Sequence, residues 1–194
     1  MARLSTLEKE SIRKKTAMPM LALAIGSMVM LFAGLTSAIV VRKAEGNWLI
    51  FSMPRAFYIS TAVILISSLT MNNAVRFVKK GLNKKATLQL IATFLFGISF
   101  AFTQVSGWYA LNSQNVYFTG RAANAAGSFF YMLTWLHLMH MVGGLISLIV
   151  TAINSSKNKY SPENTLGIRL TAVFWHFLGI LWVYLFLFLL YANK

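Results

Sequence analysis

Five long stretches of this sequence, roughly Met18–Val41, Ala56–Val78, Thr87–Leu111, Ala126–Ile153 and Leu166–Tyr191, carry no Asp, Glu, Lys or Arg in their inner parts. Each is long enough to cross a bilayer as a helix, which takes about 20 apolar residues. In lipid a segment of this length satisfies its backbone polar groups by becoming helical. The expected fold class is therefore an all-α integral membrane protein, a bundle of five transmembrane helices. The chain is 57% hydrophobic and only 11% charged, where a soluble domain carries about a quarter charged residues. Residues 1–17 read as a basic N-terminal interfacial arm and residues 18–194 as the transmembrane domain. The connecting loops are short and leave no room for a soluble domain.

The net charge of +14 is high, but its placement follows the ends of the apolar stretches rather than any stacking surface for nucleic acid. Thirteen basic residues fall on one side: the arm (Arg3, Lys9, Arg13, Lys14, Lys15), the second loop (Arg76, Lys79, Lys80, Lys84, Lys85) and the fourth (Lys157, Lys159, Arg169). Five fall on the other: Arg42, Lys43, Arg55, Arg121 and Lys194. The positive-inside bias places the N-terminus in the cytoplasm and the C-terminus outside. The arm has no short apolar core followed by a small-residue cleavage site, so the first span is expected to act as its own insertion signal. With no cysteine, disulfides, iron–sulfur clusters and zinc–thiolate sites are excluded.

Pro19, Pro54 and Pro162 all sit near segment starts, where a first helical turn loses no donor to proline. Ser161-Pro162-Glu163 reads as an N-cap, a helix start and an acid at the positive end of the dipole. Ser5 and Glu8 have capping-box spacing. Ala22, Gly26, Ala33 and Ser37 form a small-residue stripe on the first helix, and Gly143, Ser147 and Thr151 another on the fourth. Such stripes let membrane helices approach closely. The second span is rich in hydroxyls, among them Ser60, Thr61, Ser67, Ser68 and Thr70. Trp48, Trp108 and Tyr109 fit an aromatic belt at the outer boundary.

Three histidines are the candidate chemistry. His137 and His140 share the fourth span and lie about 60° apart around its axis, so they cannot bracket one iron. By helical rise, His140 lies ~18 Å and His176 ~15 Å from the cytoplasmic ends of their helices, depths that allow a contact. Together the three offer a haem, copper or zinc ligand set. The competing reading is interhelical hydrogen bonding, or contact with a partner subunit. No intramembrane carboxylate continues a proton path, which also weighs against an ion-coupled small-solute transporter.

Four segments together resemble subunit III of the haem-copper oxidases. They are MVMLFAGLTSAIVVR, YISTAVILISSLTMNNAVRFVKKG, GSFFYMLTWLHLMHMVGGLI and FWHFLGILWVYLFLF. The likeness runs from Met18 onward and is similar to the five-helix bacterial form. It implies an accessory, non-redox chain of the bacterial cytoplasmic (inner) membrane. Such a chain packs beside catalytic subunit I, with subunit II and other membrane subunits near, in a complex that can enter a respiratory supercomplex. It would bind phospholipid and support proton uptake, with haem and copper in the partner subunits and no active site of its own. The structural contacts expected on that basis are His137, His140, His176, Thr61, Ser67 and Ser68. A quinol oxidase subunit III is the nearest alternative and a nitric-oxide-reductase-associated homologue a further one; a small membrane cytochrome or copper protein using the histidines lies outside the family. The sequence also departs from the family's pattern. Met28, Gly107 and Gly179 stand where members commonly carry an acidic or polar side chain, so each removes a carboxylate and argues against direct proton handling here.

Overall fold

The computed structural model describes residues 6–121 and 123–193, with side chains from Lys15 onward. It contains α1 (Thr6–Ala44), α2 (Arg55–Lys79), α3 (Asn83–Asn112), α4 (Ala125–Ser156) and α5 (Leu166–Ala192), and no strand among the described residues. All five helices are long and apolar enough to cross a membrane. Helices α2, α3, α4 and α5 close a ring in which α2 also meets α5, and α1 leans on α5 and α4 from outside.

Helix starts differ from the sequence expectation in three places. α1 begins upstream at Thr6 and runs through Pro19 without a break. Glu, Lys and Arg are good helix formers, and Pro19 withholds only one donor from the ladder. The arm and the first span therefore share one helix of 39 residues. Pro54 is the N-cap of α2 rather than part of its first turn. Pro162 precedes α5 by a turn. Ser161 Oγ accepts from the Asn164 amide at 3.1 Å, closing a local turn, and Thr165 is the N-cap. The Ser5–Glu8 capping box lies outside the described residues.

The turns are set by local chemistry. Gly81 has φ +73, a left-handed conformation that costs glycine nothing. It lets the Leu82 amide reach back to the Phe77 carbonyl at 2.9 Å and end α2. At the opposite end of the bundle Asn124 caps α4, its side chain accepting from the Ala126 amide at 2.9 Å and donating to the Asn47 carbonyl at 3.0 Å. The α1–α2 connection is tied to the end of α5. Asn193 Oδ1 accepts from the Phe51 amide at 3.1 Å, and Asn193 Nδ2 donates to the Phe51 carbonyl.

The interior is organised by two tryptophans of α5 spaced seven apart, hence on one face. Trp175 and Trp182 are both fully buried. Trp175 donates from Nε1 to Ser67 Oγ of α2 at 3.0 Å. Its ring fills the space over Gly97 of α3 and Gly144 of α4; a Cβ at Gly97 would lie 2.7 Å from it. Trp182 donates to Thr61 Oγ1 of α2 at 3.0 Å and meets the Phe100 ring of α3 edge-on at 5.1 Å. Without a hydrophobic force between helices in lipid, such interlocking and the bonds it carries hold the bundle. The outer surface is apolar, with Met30, Leu23, Phe102 and Ile180 at least 70% exposed.

The stripes pack differently from the expectation. On α1 the buried face is Phe32, Thr36 and Ile39, while Ala22, Gly26, Ala33 and Ser37 face outward. Of the adjacent α4 glycines Gly144 is the one in contact, and nothing lies within 4 Å of a Cβ at Gly143. Ser147 and Thr151 do converge, both bonding Thr171 of α5 at 2.9 and 2.7 Å. Trp48 and Trp108 are partly buried against the core, whereas Tyr109 is 73% exposed.

Candidate functional site

The three histidines do not come together. His137 is fully buried beside Trp182 (ring centroids 5.3 Å apart), Phe100 (5.9 Å) and Phe32 (6.4 Å). Neither of its ring nitrogens has a hydrogen-bond partner. This differs from the expected interhelical bond: aromatic rings of α1, α3 and α5 occupy the directions from which a partner would reach it. His140 faces α1, stacking edge-on against Phe32 at 5.7 Å, and its Nδ1 lies 2.7 Å from the Leu136 carbonyl of its own helix. His176 bonds across helices, with Nε2–H donating to Asn72 Oδ1 of α2 at 3.1 Å. Among the described residues no three His, Cys, Asp or Glu side chains are grouped so that they could hold a metal ion.

The hydroxyls of α2 serve two partners each. Thr61 Oγ1 donates to the Phe57 carbonyl at 2.8 Å while accepting from Trp182. Ser67 Oγ donates to the Ile64 carbonyl at 2.7 Å while accepting from Trp175. Ser60 accepts from Gln104 Nε2 of α3 at 3.0 Å, and Thr70 pairs with Thr93 at 2.7 Å. Ser68 instead borders an open groove. Sequence reasoning missed Gln104, Asn72 and the central role of Trp175 and Trp182. The tryptophans were findable: an indole N–H in the middle of an apolar span requires an acceptor, and the hydroxyl-rich α2 supplies it.

The unpartnered imidazole makes a prediction. Replacing His137 with phenylalanine removes two desolvated polar atoms and breaks no hydrogen bond, so His137→Phe is expected to leave thermal stability in detergent unchanged or raised. A large drop in melting temperature would mean that the imidazole nitrogens are engaged.

Two grooves open on the outer surface of the bundle. One of ≈ 450 Å³ lies between α3 and α4, lined by Trp108, Phe118, Tyr131, Met132, Trp135 and Leu136. Trp108 is held there by its Nε1 bond to Thr134 Oγ1 at 3.0 Å, and Tyr131 by its hydroxyl on the Trp108 and Val116 carbonyls at 3.0 and 3.1 Å. The other, of ≈ 680 Å³, runs between α2 and α5 past His176 and Asn72.

Gly107 and Gly179, two of the positions without a carboxylate, are unlike. A Cβ at Gly107 would lie 2.5 Å from the Phe57 ring, so an aromatic occupies that space. A Cβ at Gly179 would meet Ser68 Oγ at 3.6 Å and Ile64 at 3.7 Å, ordinary contact distances.

Five apolar helices with an interlocked aromatic core and an apolar exterior define a multi-pass membrane protein. The family described as cytochrome c oxidase subunit III matches residues 51–194. A relative from Nocardia farcinica, described as a probable cytochrome c oxidase subunit 3, is 30% identical over 172 residues, covering 84% of this chain and 81% of the relative. A Mycobacterium tuberculosis protein of the same description is 29% identical over 167 residues, covering 84% and 81%. The cytochrome bo(3) ubiquinol oxidase subunit 3 of Pseudomonas aeruginosa is 28% identical over 137 residues, covering 71% and 64%. The chain belongs to the cytochrome c oxidase subunit III family.

Proposed function

We propose that this chain is the accessory, non-redox subunit III of a haem-copper terminal oxidase of the cytochrome c type. It stabilises catalytic subunit I, seats phospholipid and supports proton uptake during oxygen reduction, from the bacterial cytoplasmic membrane with its N-terminus inside. Haem and copper belong to the partner subunits. The observation that carries this reading is the separate engagement of the three histidines. His137 is sealed by Phe32, Phe100 and Trp182, His140 turns to Leu136 and α1, and His176 is committed to Asn72. That separation supports a packing and helix-contact role for the three side chains. The α3–α4 groove supports the lipid role, since its aromatic lining suits an acyl chain.

A second reading, subunit III of a quinol oxidase, is favoured by the likeness to the Pseudomonas aeruginosa protein. The electron donor is chosen by other subunits, so the same experiment addresses both readings. The chain is purified in mild detergent through an N-terminal tag. Copurifying chains are identified, and the reduced-minus-oxidised spectrum is recorded before and after partners are stripped. Haem bands that leave with a large copurifying subunit are expected. Haem that stays with the stripped chain and disappears in His176→Ala would overturn the reading and make this chain a cytochrome.

A further inference from the structure

In lipid, a polar side chain finds a partner in its own bundle or in another protein. Most of this chain's intramembrane polar groups are settled internally, as in the Thr70–Thr93, Ser147–Thr171 and Trp175–Ser67 pairs. The His176–Asn72 pair is different, because it is both at membrane depth and open to the outside. Asn72 lies about 10 Å from the basic end of α2, and His176 about 15 Å along α5. His176 Nε2–H donates to Asn72 Oδ1 at 3.1 Å, and the pair is exposed. His176 Nδ1 and Asn72 Nδ2 have no hydrogen-bond partner among the described residues.

The pair stands in the ≈ 680 Å³ groove between α2 and α5. Gly179 lies in this groove. Gly97, Gly107 and Gly144 are glycines because a neighbouring side chain fills the space where Cβ would be. At Gly179 the fit is looser, and a Cβ would make ordinary contacts with Ser68 Oγ at 3.6 Å and Ile64 at 3.7 Å. Ile180 beside it is 70% exposed, and Tyr184 is held by its hydroxyl contact with Thr36 of α1 at 3.1 Å.

We propose that this α2–α5 groove seats a transmembrane helix of another oxidase subunit, which presents a hydroxyl or carboxamide side chain to His176 and Asn72. An acyl chain has no atom to offer either nitrogen. A hydroxyl or carboxamide both donates and accepts, so one residue satisfies the free His176 Nδ1 and Asn72 Nδ2 together. Gly179, also in the groove, adds no side chain there and so lets that helix approach closely. This inference rests on the subunit III reading and names the surface through which that role is exercised.

The test uses the full chain in its native membrane. A photo-crosslinking benzoylphenylalanine replaces Ile180 in one version and Phe102, 70% exposed on α3, in another. Gly179→Leu and the paired His176→Leu and Asn72→Leu are assayed for copurified haem per tagged chain, with monodispersity of the tagged chain as the fold control. The expected result is a protein adduct from position 180 to an oxidase subunit and none from position 102. Either set of substitutions should then lower copurified haem about tenfold. If wild-type chain brings down haem while position 180 yields only lipid adducts, the inference is overturned and the subunit reading stands. The same holds if the folded variants retain wild-type haem. If wild-type chain brings down no oxidase subunit, the reading and the inference fall together.

Discussion

Gly107→Glu is expected to prevent the bundle from assembling, although it restores an acidic side chain where the family's pattern commonly has one. The Phe57 ring approaches to 2.5, 2.8 and 2.9 Å of the position that a Cβ would take. Phe57 has no room to retreat: it is fully buried, with the Phe130 ring centroid 5.2 Å away and that of Trp182 at 6.3 Å. Overpacking of this kind costs about 1–3 kcal/mol, and an unpaired buried carboxylate adds about 3 kcal/mol or more. Gly107→Ala isolates the steric part and should cost about 1–3 kcal/mol by itself. Gly179→Ala is the matched comparison. Its Cβ makes only ordinary contacts, and alanine in a helix interior is favoured over glycine by about 0.5–1 kcal/mol. Thermal melting of the tagged chain in detergent, followed by size exclusion, checks the contrast. Equal melting of Gly107→Ala and Gly179→Ala would show that Phe57 does not constrain position 107.

The second large effect is expected at Trp175. This one side chain touches α2 through Ser67, α3 through Gly97 and α4 through Gly144. Trp175→Ala should cost about 3–5 kcal/mol, the range for emptying a buried tryptophan site. Ser67→Ala leaves the indole N–H buried without an acceptor and should cost about 1–3 kcal/mol. Ser68→Ala breaks no hydrogen bond among the described residues and should lie within about 0.5 kcal/mol of wild type. Reversible unfolding in mixed detergent gives the order. A Ser68→Ala loss as large as that of Ser67→Ala would contradict the assignment of the bond to Ser67.

The two glycines show where sequence legibility stops. Both stand in apolar helical runs, and both depart from the family's pattern in the same chemical direction. Only the neighbours tell them apart: the Phe57 ring fills the space at 107, and the α2–α5 groove adjoins 179. The histidines divide in the same way. Spacing along α4 showed that His137 and His140 could not face one iron, because helical periodicity is a local property. It did not show that His137 would be enclosed by rings from three other helices without a hydrogen bond. The small-residue stripe of α1 faces outward for the same reason. A stripe announces a surface suited to close approach, but the partner helix decides which face is used, and here Phe32, Thr36 and Ile39 meet it.

The sequence by itself determined the five spans and the exclusion of charge from their interiors. It also determined the family to which the chain belongs. These depend on hydropathy summed over about 20 consecutive residues and on motifs in chain order, both of which are local along the chain. Only the tertiary structure decided which helices close the ring and that α1 stays outside it. It alone decided that Trp175 and Trp182 bind the ring together, and that the His176–Asn72 pair opens onto the α2–α5 groove. Those outcomes depend on how side chains from different helices interlock and on which polar atoms they leave unpaired, and that information exists only once the helices have met.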